Sequence, residues 1–256
     1  MKATKLLLFS GLLTATSSAT SVITSGHADY FSIGYEEESP GVFVFEPHVH
    51  VEEGVVDGVP IDLVANPDGL EFEPDEIIIQ VSNTTFDYTT SIGGRPAGTA
   101  WDPLGVPATS SYWYLPSGPG GPGGAGALGT IYGGLGAEEL EAADWSTITV
   151  TLESVVGPGD FSMWTEDIGG PTFLWASADG IDGSDVATVD PGDHTDNFLG
   201  FTAAGIYEIT VNFSGTHTPD GPFSESATYT FQVPEPSVGL LGLGAVALLA
   251  RRRRQA

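Results

Sequence analysis

The feature that most constrains the fold is a succession of short runs rich in β-branched and aromatic residues, each bounded by glycine or proline turns. Runs of this length and composition are typical of β-strands. Seven are clear: residues 42–51, 77–81, 147–156, 161–164, 172–176, 206–213 and 227–233. Only residues 137–144, AEELEAAD, predict a short helix. We therefore expect an all-β body, a single antiparallel β-sandwich of the immunoglobulin or jelly-roll kind.

One glycine-rich segment interrupts this pattern, because half of residues 117–136 are glycine. Strand-like runs lie on both sides of it, so the segment predicts a flexible loop within one domain rather than a linker between two. A phosphate-binding loop is excluded, since no Lys follows the glycines and no strand-to-helix context surrounds them.

The charge balance excludes several classes of protein. The 256 residues include 34 Asp and Glu against 7 Lys and Arg, which gives a formal net charge of −27, and there is no Cys. Such a surface repels nucleic acid, and the lack of Cys excludes disulfides, thiolate metal sites and a Cys nucleophile. Arg95 is the one basic residue outside the two ends. Salt or bound cations would relieve the self-repulsion of the acidic body.

The N-terminus predicts a secretory signal peptide. Lys2 and Lys5 precede an apolar run at residues 6–13, and small residues follow up to Ala19. The run is shorter than the roughly 20 residues that span a membrane. We expect signal peptidase to cut after Ala19, which makes residues 1–19 the signal peptide, with a later cut near Ser25 as the alternative.

The C-terminus has three consecutive parts. Residues 233–236 are Val233, Pro234, Glu235 and Pro236. Residues 237–250 are almost wholly apolar and predict a short hydrophobic helix. The cluster that follows is Arg251, Arg252, Arg253 and Arg254. The Arg cluster should stay on the cytoplasmic side of the membrane, which leaves the body (residues 20–233) outside. A plain tail anchor is the simplest interpretation of this arrangement.

Residues 234–254 also resemble the PEP-CTERM sorting tail, which has the same three parts in the same order. The resemblance implies that a processing protease of the exosortase type recognises residues 234–256. The protein would be tethered to the inner membrane through its C-terminal helix before processing. It would then pass to the cell surface or to an extracellular matrix of exopolysaccharide.

The body is similar to the choice-of-anchor M surface domain. Four segments carry the similarity: residues 26–29 (GHAD), 112–116 (YWYLP), 151–161 (TLESVVGPGDF) and 194–207, which begins HTDNF. The family implies surface display, and some of its members are linked with metal transport. This sequence has Asp196 and Phe198 where the family pattern more often has a second His and a Trp.

Two pairs of residues have the spacing of metal ligands on a strand. His48 and His50 are two residues apart, as are His194 and Asp196, and a two-residue spacing puts both side chains of a strand on one face. With His27, these residues could bind Zn²⁺ or another divalent transition metal. One shared site requires the side chains to converge within a few ångströms. The alternative is that they are ordinary surface residues of an acidic protein.

A second candidate is calcium at the acidic loop that contains Asp179, Asp182, Asp185 and Asp190. Hard cations prefer clustered oxygen ligands, but the spacing is not that of an EF-hand. Solvated charge is the alternative.

Catalytic signatures are weak. No Gly-x-Ser-x-Gly elbow occurs, and the many carboxylates single out no acid–nucleophile pair. We therefore predict a non-enzymatic adhesion or structural module, with a surface metal-binding or metal-scavenging domain as the alternative. Residues 112–114 (YWY) should point alternately to opposite faces of a strand, either to stack on sugars or to pack in the core.

Overall fold

A computed structural model of the protein describes residues 20–85 and 94–235. The predicted signal peptide, the apolar segment at residues 237–250 and the Arg cluster lie outside these residues. Within the described part of the chain nearly all regular structure is strand, which confirms the all-β prediction.

The described residues form sixteen strands and two short helical segments. The strands are β1 (Ser21–Ser39), β2 (Val42–Val56), β3 (Val59–Pro60), β4 (Leu70–Phe72), β5 (Ile77–Gln80), β6 (Trp113–Leu115), β7 (Ile131–Tyr132), β8 (Gly134–Gly136), β9 (Ile148–Val156), β10 (Phe161–Asp167), β11 (Gly170–Ala176), β12 (Val186–Val189), β13 (His194–Asp196), β14 (Phe198–Phe201), β15 (Gly205–His217) and β16 (Gly221–Val233). The helical segments are a 3-10 helix (Thr99–Leu104) and α1 (Ala125–Leu128).

All seven predicted strand runs are strands, but the predicted helix at residues 137–144 is wrong. That segment is a series of turns, closed by the bonds from Leu140 N to Ala137 O and from Asp144 N to Glu141 O. The amide of Ala137 donates to Asp193 O, and its carbonyl accepts from Gly192 N. These tertiary backbone bonds override the local helix preference.

The longest strand, β1, was not predicted from its sequence, because its polar and apolar residues do not follow one simple alternation. It forms a long antiparallel hairpin with β2, and its register shifts three times between Ile23 and Ser32. On its other side β1 pairs in parallel with β5, β7 and β8 in turn. This one strand therefore supports most of the elements around the candidate site.

The strands form two sheets. The larger has the order β12-β9-β15-β16-β5-β1-β2-β3, with β4 beside β2, β7 and β8 beside β1, and β13 beside β8. The smaller has the order β11-β10-β14-β6 and is antiparallel. The purely antiparallel arrangement that we predicted is wrong for the larger sheet, because β5 pairs in parallel with both β1 and β16.

Aromatic side chains of both sheets meet in one core. Phe31 of the large sheet lies edge-on to Trp175 of the small sheet, with ring centroids 5.1 Å apart. Phe231 of the large sheet contacts both Phe161 and Phe201, with centroid distances of 6.4 and 5.5 Å. Buried aromatic rings in such arrangements stabilise a core beyond the area that they remove from water. The sandwich or jelly-roll class of this arrangement stays a prediction.

The second half of the glycine-rich segment is not the flexible loop that the sequence predicted. It contains α1, β7 and β8, and the last two strands lie against β1. Glycine permits this close approach: a Cβ on Gly133 would lie 1.7 Å from Ala28 O, and one on Gly136 would lie 2.8 Å from Asp29 Oδ2. The glycines therefore let the backbone of this segment lie directly alongside β1.

Residues 112–114 alternate as expected, and all three rings are buried. Trp113 joins the core that both sheets share. Tyr112 and Tyr114 join a separate aromatic cluster with Leu104 and Trp164. The small sheet is therefore covered on both faces.

Candidate metal centre

Strand periodicity brings titratable side chains from three strands together. On β2, His48, His50 and Glu52 follow one another at two-residue spacing and so share a face. On β1, Asp29 pairs in register with His50. β13, which carries His194, pairs with β8, and β8 pairs with β1.

Five side chains from these strands and Glu138 from the turns that follow β8 form what we call the Asp29 cluster: His27, Asp29, Glu52, Glu138, His194 and Asp196. Ligand atoms of Asp29, Glu52, Glu138 and His194 all lie within 4.8 Å of one another. The same is true of His27, His194 and Asp196. His194 belongs to both sets and therefore links them.

The histidines of the cluster are held by carboxylates. His27 Nδ1 lies 2.8 Å from Glu52 Oε2, and His27 Nε2 lies 3.0 Å from Asp196 Oδ1. His194 Nδ1 lies 2.8 Å from Glu138 Oε1. The two imidazole rings are 5.1 Å apart between centroids, and His27 also stacks on Tyr132 at 4.6 Å. Both rings are thereby fixed in orientation.

Asp29 is the unusual member of the cluster. Its side chain is fully buried, and neither carboxylate oxygen has a hydrogen-bond partner among the described residues. Burial raises the pKa of Asp29 to about 7, against the opposing influence of His194 and His27. A buried carboxylate without hydrogen bonds is costly, so Asp29 is a candidate for binding a cation.

The pKa values of the two histidines are also shifted. Burial alone would lower the pKa of His27, but hydrogen bonds to Asp196 and Glu52 prevail and raise it to about 9. Burial likewise opposes protonation of His194, whose pKa is nevertheless raised by Glu138 and by Asp29. At neutral pH the cluster thus favours protonated imidazoles, and a metal ion would have to displace these protons.

His48 belongs to a second group of carboxylates. Its Nε2 lies 3.3 Å from Glu139 Oε1, and ligand atoms of Glu36, Glu71 and Glu139 lie within 4.8 Å of one another. Burial raises the pKa of Glu139, but His48 outweighs it and keeps the value below normal. This group is therefore an imidazole–carboxylate pair with further acidic neighbours.

His50 lies between the two groups. Its Nε2 donates to the carbonyl oxygen of Asp68 at 2.8 Å, and its Nδ1 lies 3.7 Å from Glu138 Oε2. Of the five metal ligands predicted from the sequence, the structure thus brings together His27, His194 and Asp196. His48 lies beside Glu139, outside the cluster, and His50 lies at its edge, 3.7 Å from Glu138.

Sequence reasoning missed three members of the Asp29 cluster. Asp29 follows His27 by two residues on β1, and Glu52 follows His50 by two on β2, so the spacing rule applied to the histidines could have found both. Glu138 gave no such signal, because it lies in the segment predicted as a helix.

The acidic loop predicted for calcium uses its carboxylates differently. Asp185 is nearly buried and accepts hydrogen bonds from the amides of Ala176 and Asp182, each at 2.8 Å. Asp182 accepts from Ser184, and Asp190 accepts from the hydroxyl of Thr147. The described residues therefore do not gather these carboxylates with Asp179 into one cluster of ligand spacing.

The Asp29 cluster has the dimensions of a metal site. Neighbouring ligands bound to one ion at about 2.0–2.2 Å lie roughly 3.0–3.5 Å apart. Ligand atoms of Asp29, Glu52, Glu138 and His194 lie within 4.8 Å of one another, so a small adjustment of these side chains would bring them to such distances around one ion. Imidazole nitrogens and carboxylate oxygens together suit zinc and related divalent transition metals.

Comparison with known proteins identifies the end of the chain. Residues 232–254 match the PEP-CTERM protein-sorting motif, which implies export and sorting through exosortase to the cell surface. No curated protein and no solved structure matches the chain, so the similarity of the body to the choice-of-anchor M domain gains no support from a homologue. Within residues 20–85 and 94–235, none of the helices has the length and apolar character needed to traverse a bilayer.

Proposed function

We propose that the body of this protein binds a divalent transition metal ion at the Asp29 cluster, and that sorting presents this site at the cell surface. The observation that carries the proposal is the buried carboxylate of Asp29, both of whose oxygens lack a hydrogen-bond partner among the described residues. A cation bound there would satisfy the carboxylate and neutralise its charge.

Zinc serves as the reference ion, because imidazole nitrogen and carboxylate oxygen are both among its usual ligands. The proposed ligands are His194, Asp29, Glu52 and Glu138, whose ligand atoms lie within 4.8 Å of one another. His27 and Asp196 flank them and would orient the ligands or take part in binding. One imidazole with several carboxylates also suits manganese or iron, so the relative affinities of these ions are part of the test.

Metal binding explains the cluster better than a purely structural role. In an adhesion or structural module, a hydrogen-bond-free carboxylate in the interior lowers stability without any return in function. The excess of carboxylates around the site would also draw cations toward it. The proposed role is binding rather than catalysis.

The proposal extends to how the protein reaches the surface. Signal peptidase would remove residues 1–19, and residues 237–250 would hold the chain in the inner membrane until exosortase acts near Pro234, Glu235 and Pro236. The body, of the choice-of-anchor M kind, would then be displayed at the surface or released into an exopolysaccharide matrix. Deletion of residues 234–256 should abolish surface display, and normal display of the shortened chain would contradict this part of the proposal.

The metal proposal is tested by measuring zinc binding to the purified full-length protein. Metal analysis and isothermal titration calorimetry should give one tightly bound zinc ion per chain, with affinity falling more than about 100-fold in His194→Ala. His217→Ala is the matched control, because His217 also pairs with a carboxylate but lies outside the cluster. Equal zinc binding by the two variants would overturn the proposal.

A further inference from the structure

A second feature of the body lies on the small sheet, apart from the acidic clusters. It is a cavity of about 420 Å³, and the glycine-rich loop at residues 117–124 forms part of its wall. Five aromatic residues line it: Trp101, Tyr112, Tyr114, Trp164 and Phe198. The volume lies within the range of small-molecule sites.

The aromatic rings of the cavity stand at several angles to one another. Trp164 and Phe198 are nearly parallel at 14°, with centroids 5.4 Å apart, whereas Trp101 stands at 79° to Trp164. Tyr112 and Tyr114 are inclined at 56°. Trp164 and Phe198 stack on each other and form one wall, and Trp101 and Tyr112 stand at 79° and 59° to Trp164, so the rings together can surround a compact group.

Polar side chains are few among the residues that line the cavity. Besides the two tyrosines they are Ser117, Glu166 and the indole N–H groups of Trp101 and Trp164, and the hydroxyl of Tyr114 already donates to Gly123 O at 2.7 Å. A sugar brings many hydroxyl groups that each need a partner when buried, so this lining suits sugars poorly. A ligand without hydrogen-bonding groups fits better.

The charge of the lining favours a cation. Glu166 is exposed and supplies a carboxylate, and it adds to the effect of burial in raising the pKa of Tyr112, which keeps that hydroxyl neutral. The nearby Arg95 is buried and pairs with Asp102, and the chain as a whole has a formal charge of −27. An anion would be repelled from such a site.

We infer that this cavity binds an alkylated ammonium cation of the quaternary type. Such a group has a delocalised positive charge and a methylated surface, and it binds to aromatic faces by cation–π attraction without needing hydrogen bonds. Glu166 would supply the complementary charge at the cavity. The inference is independent of the metal site, since the two share no residue.

Choline and its uncharged carbon analogue, 3,3-dimethylbutan-1-ol, test this inference on the purified full-length protein by calorimetry. The two have nearly the same shape, so any difference in affinity reports the charge. We expect choline to bind at least about tenfold more tightly, a factor that corresponds to about 1.4 kcal/mol. Glu166→Gln should remove most of that preference, and Glu153→Gln, another exposed carboxylate, should leave it unchanged.

Several results would overturn the inference. Equal binding of the two compounds would mean a merely apolar cavity, and no binding of choline would mean that the aromatic lining is packing alone. Binding of a neutral disaccharide such as cellobiose in preference to choline would assign the cavity to glycans. Trp101→Leu provides a second variant, and an unchanged choline affinity there would exclude this cavity as the site.

Discussion

Two histidine–carboxylate groups of this protein look alike at first sight. In the Asp29 cluster, His27 stacks on Tyr132 and lies between two carboxylates. At the end of β15, His217 stacks on Trp145 with centroids 4.9 Å apart, and its Nδ1 lies 2.7 Å from Asp220 Oδ2. Each imidazole is therefore oriented by an aromatic ring and by an acid.

The difference between the groups lies in how their carboxylates are satisfied. Asp220 is about half exposed and also accepts a hydrogen bond from the hydroxyl of Tyr35 at 3.0 Å. Asp29 is fully buried and accepts none from the described residues. The acid beside His217 is satisfied by its neighbours, whereas the buried carboxylate of Asp29 is left without a hydrogen bond from the described residues beside imidazoles, which makes it the candidate for a functional site.

The largest expected effect comes from removing the charge at Asp29. Asp29→Asn should weaken zinc binding more than about 100-fold and yet raise the stability of the metal-free protein by about 1–3 kcal/mol, because a costly buried charge disappears. Calorimetry and urea unfolding at pH 8 measure both effects. The control Asp220→Asn should leave zinc affinity unchanged and should not raise stability. A loss of stability in metal-free Asp29→Asn would contradict the comparison.

The pH dependence of stability should differ between the metal-free and zinc-bound protein. The raised pKa of His27 stabilises the fold fully below pH 6.5, and this contribution is lost as the pH rises through about 9. The pKa of Asp29, raised from 3.8 to about 7, also makes the fold less stable as the pH rises, in this case between pH 3.8 and about 7. Metal-free protein should thus be less stable at pH 9 than at pH 6.5, by about 2–3 kcal/mol from His27.

Zinc should reverse this trend, because its ligands must be deprotonated and its affinity rises with pH. Urea unfolding at pH 6, 7.5 and 9, with zinc and with EDTA, measures both curves. His27→Gln should flatten the metal-free curve between pH 6.5 and 9. Parallel curves with and without zinc would show that the ion does not bind at the titrating groups.

A smaller effect is expected from the glycine that covers Asp29. In Gly136→Ala, the added Cβ would lie 2.8 Å from Asp29 Oδ2 and 2.5 Å from Ser32 Oγ, so the carboxylate must move. We expect a stability loss of about 1–3 kcal/mol and zinc binding weakened roughly tenfold. Gly183→Ala is the control, because nothing lies within 4 Å of its added Cβ. Equal zinc affinity in both variants would show that the position of Asp29 is unimportant.

The smallest effect concerns the second histidine–carboxylate group. His217→Ala removes the bond to Asp220 and the stacking on Trp145, and it should lower the free energy of unfolding by about 1 kcal/mol. Thermal unfolding in EDTA measures this loss. Zinc affinity should not change, and a joint loss of stability and zinc binding would make the two groups equivalent after all.

Strand periodicity made much of the fold predictable from the sequence. The β-rich runs such as residues 147–156 became strands, and the two-residue spacing of His194 and Asp196 placed both side chains in the same cluster. These predictions depend on local geometry, which a strand fixes by itself.

The rest depended on long-range pairing. β1 lacks the simple alternation of polar and apolar residues that predicts a strand, and it is held in place by β2, β5, β7 and β8. Glu138 contributes to the cluster only because the turns at residues 137–144 are tied to Gly192 and Asp193 by backbone hydrogen bonds. The two-residue spacing from His27 could have singled out Asp29 among 34 acidic residues, but its burial could not be predicted, since that is a product of the whole fold.

The central claim is tested most directly by a crystal structure of the protein with zinc, using anomalous scattering at the zinc edge. We predict one strong anomalous peak inside the Asp29 cluster, at about 2.0–2.2 Å from a nitrogen of His194 and from a carboxylate oxygen of Asp29. No peak at Asp29, or a peak only beside His217 and Asp220, would contradict the account.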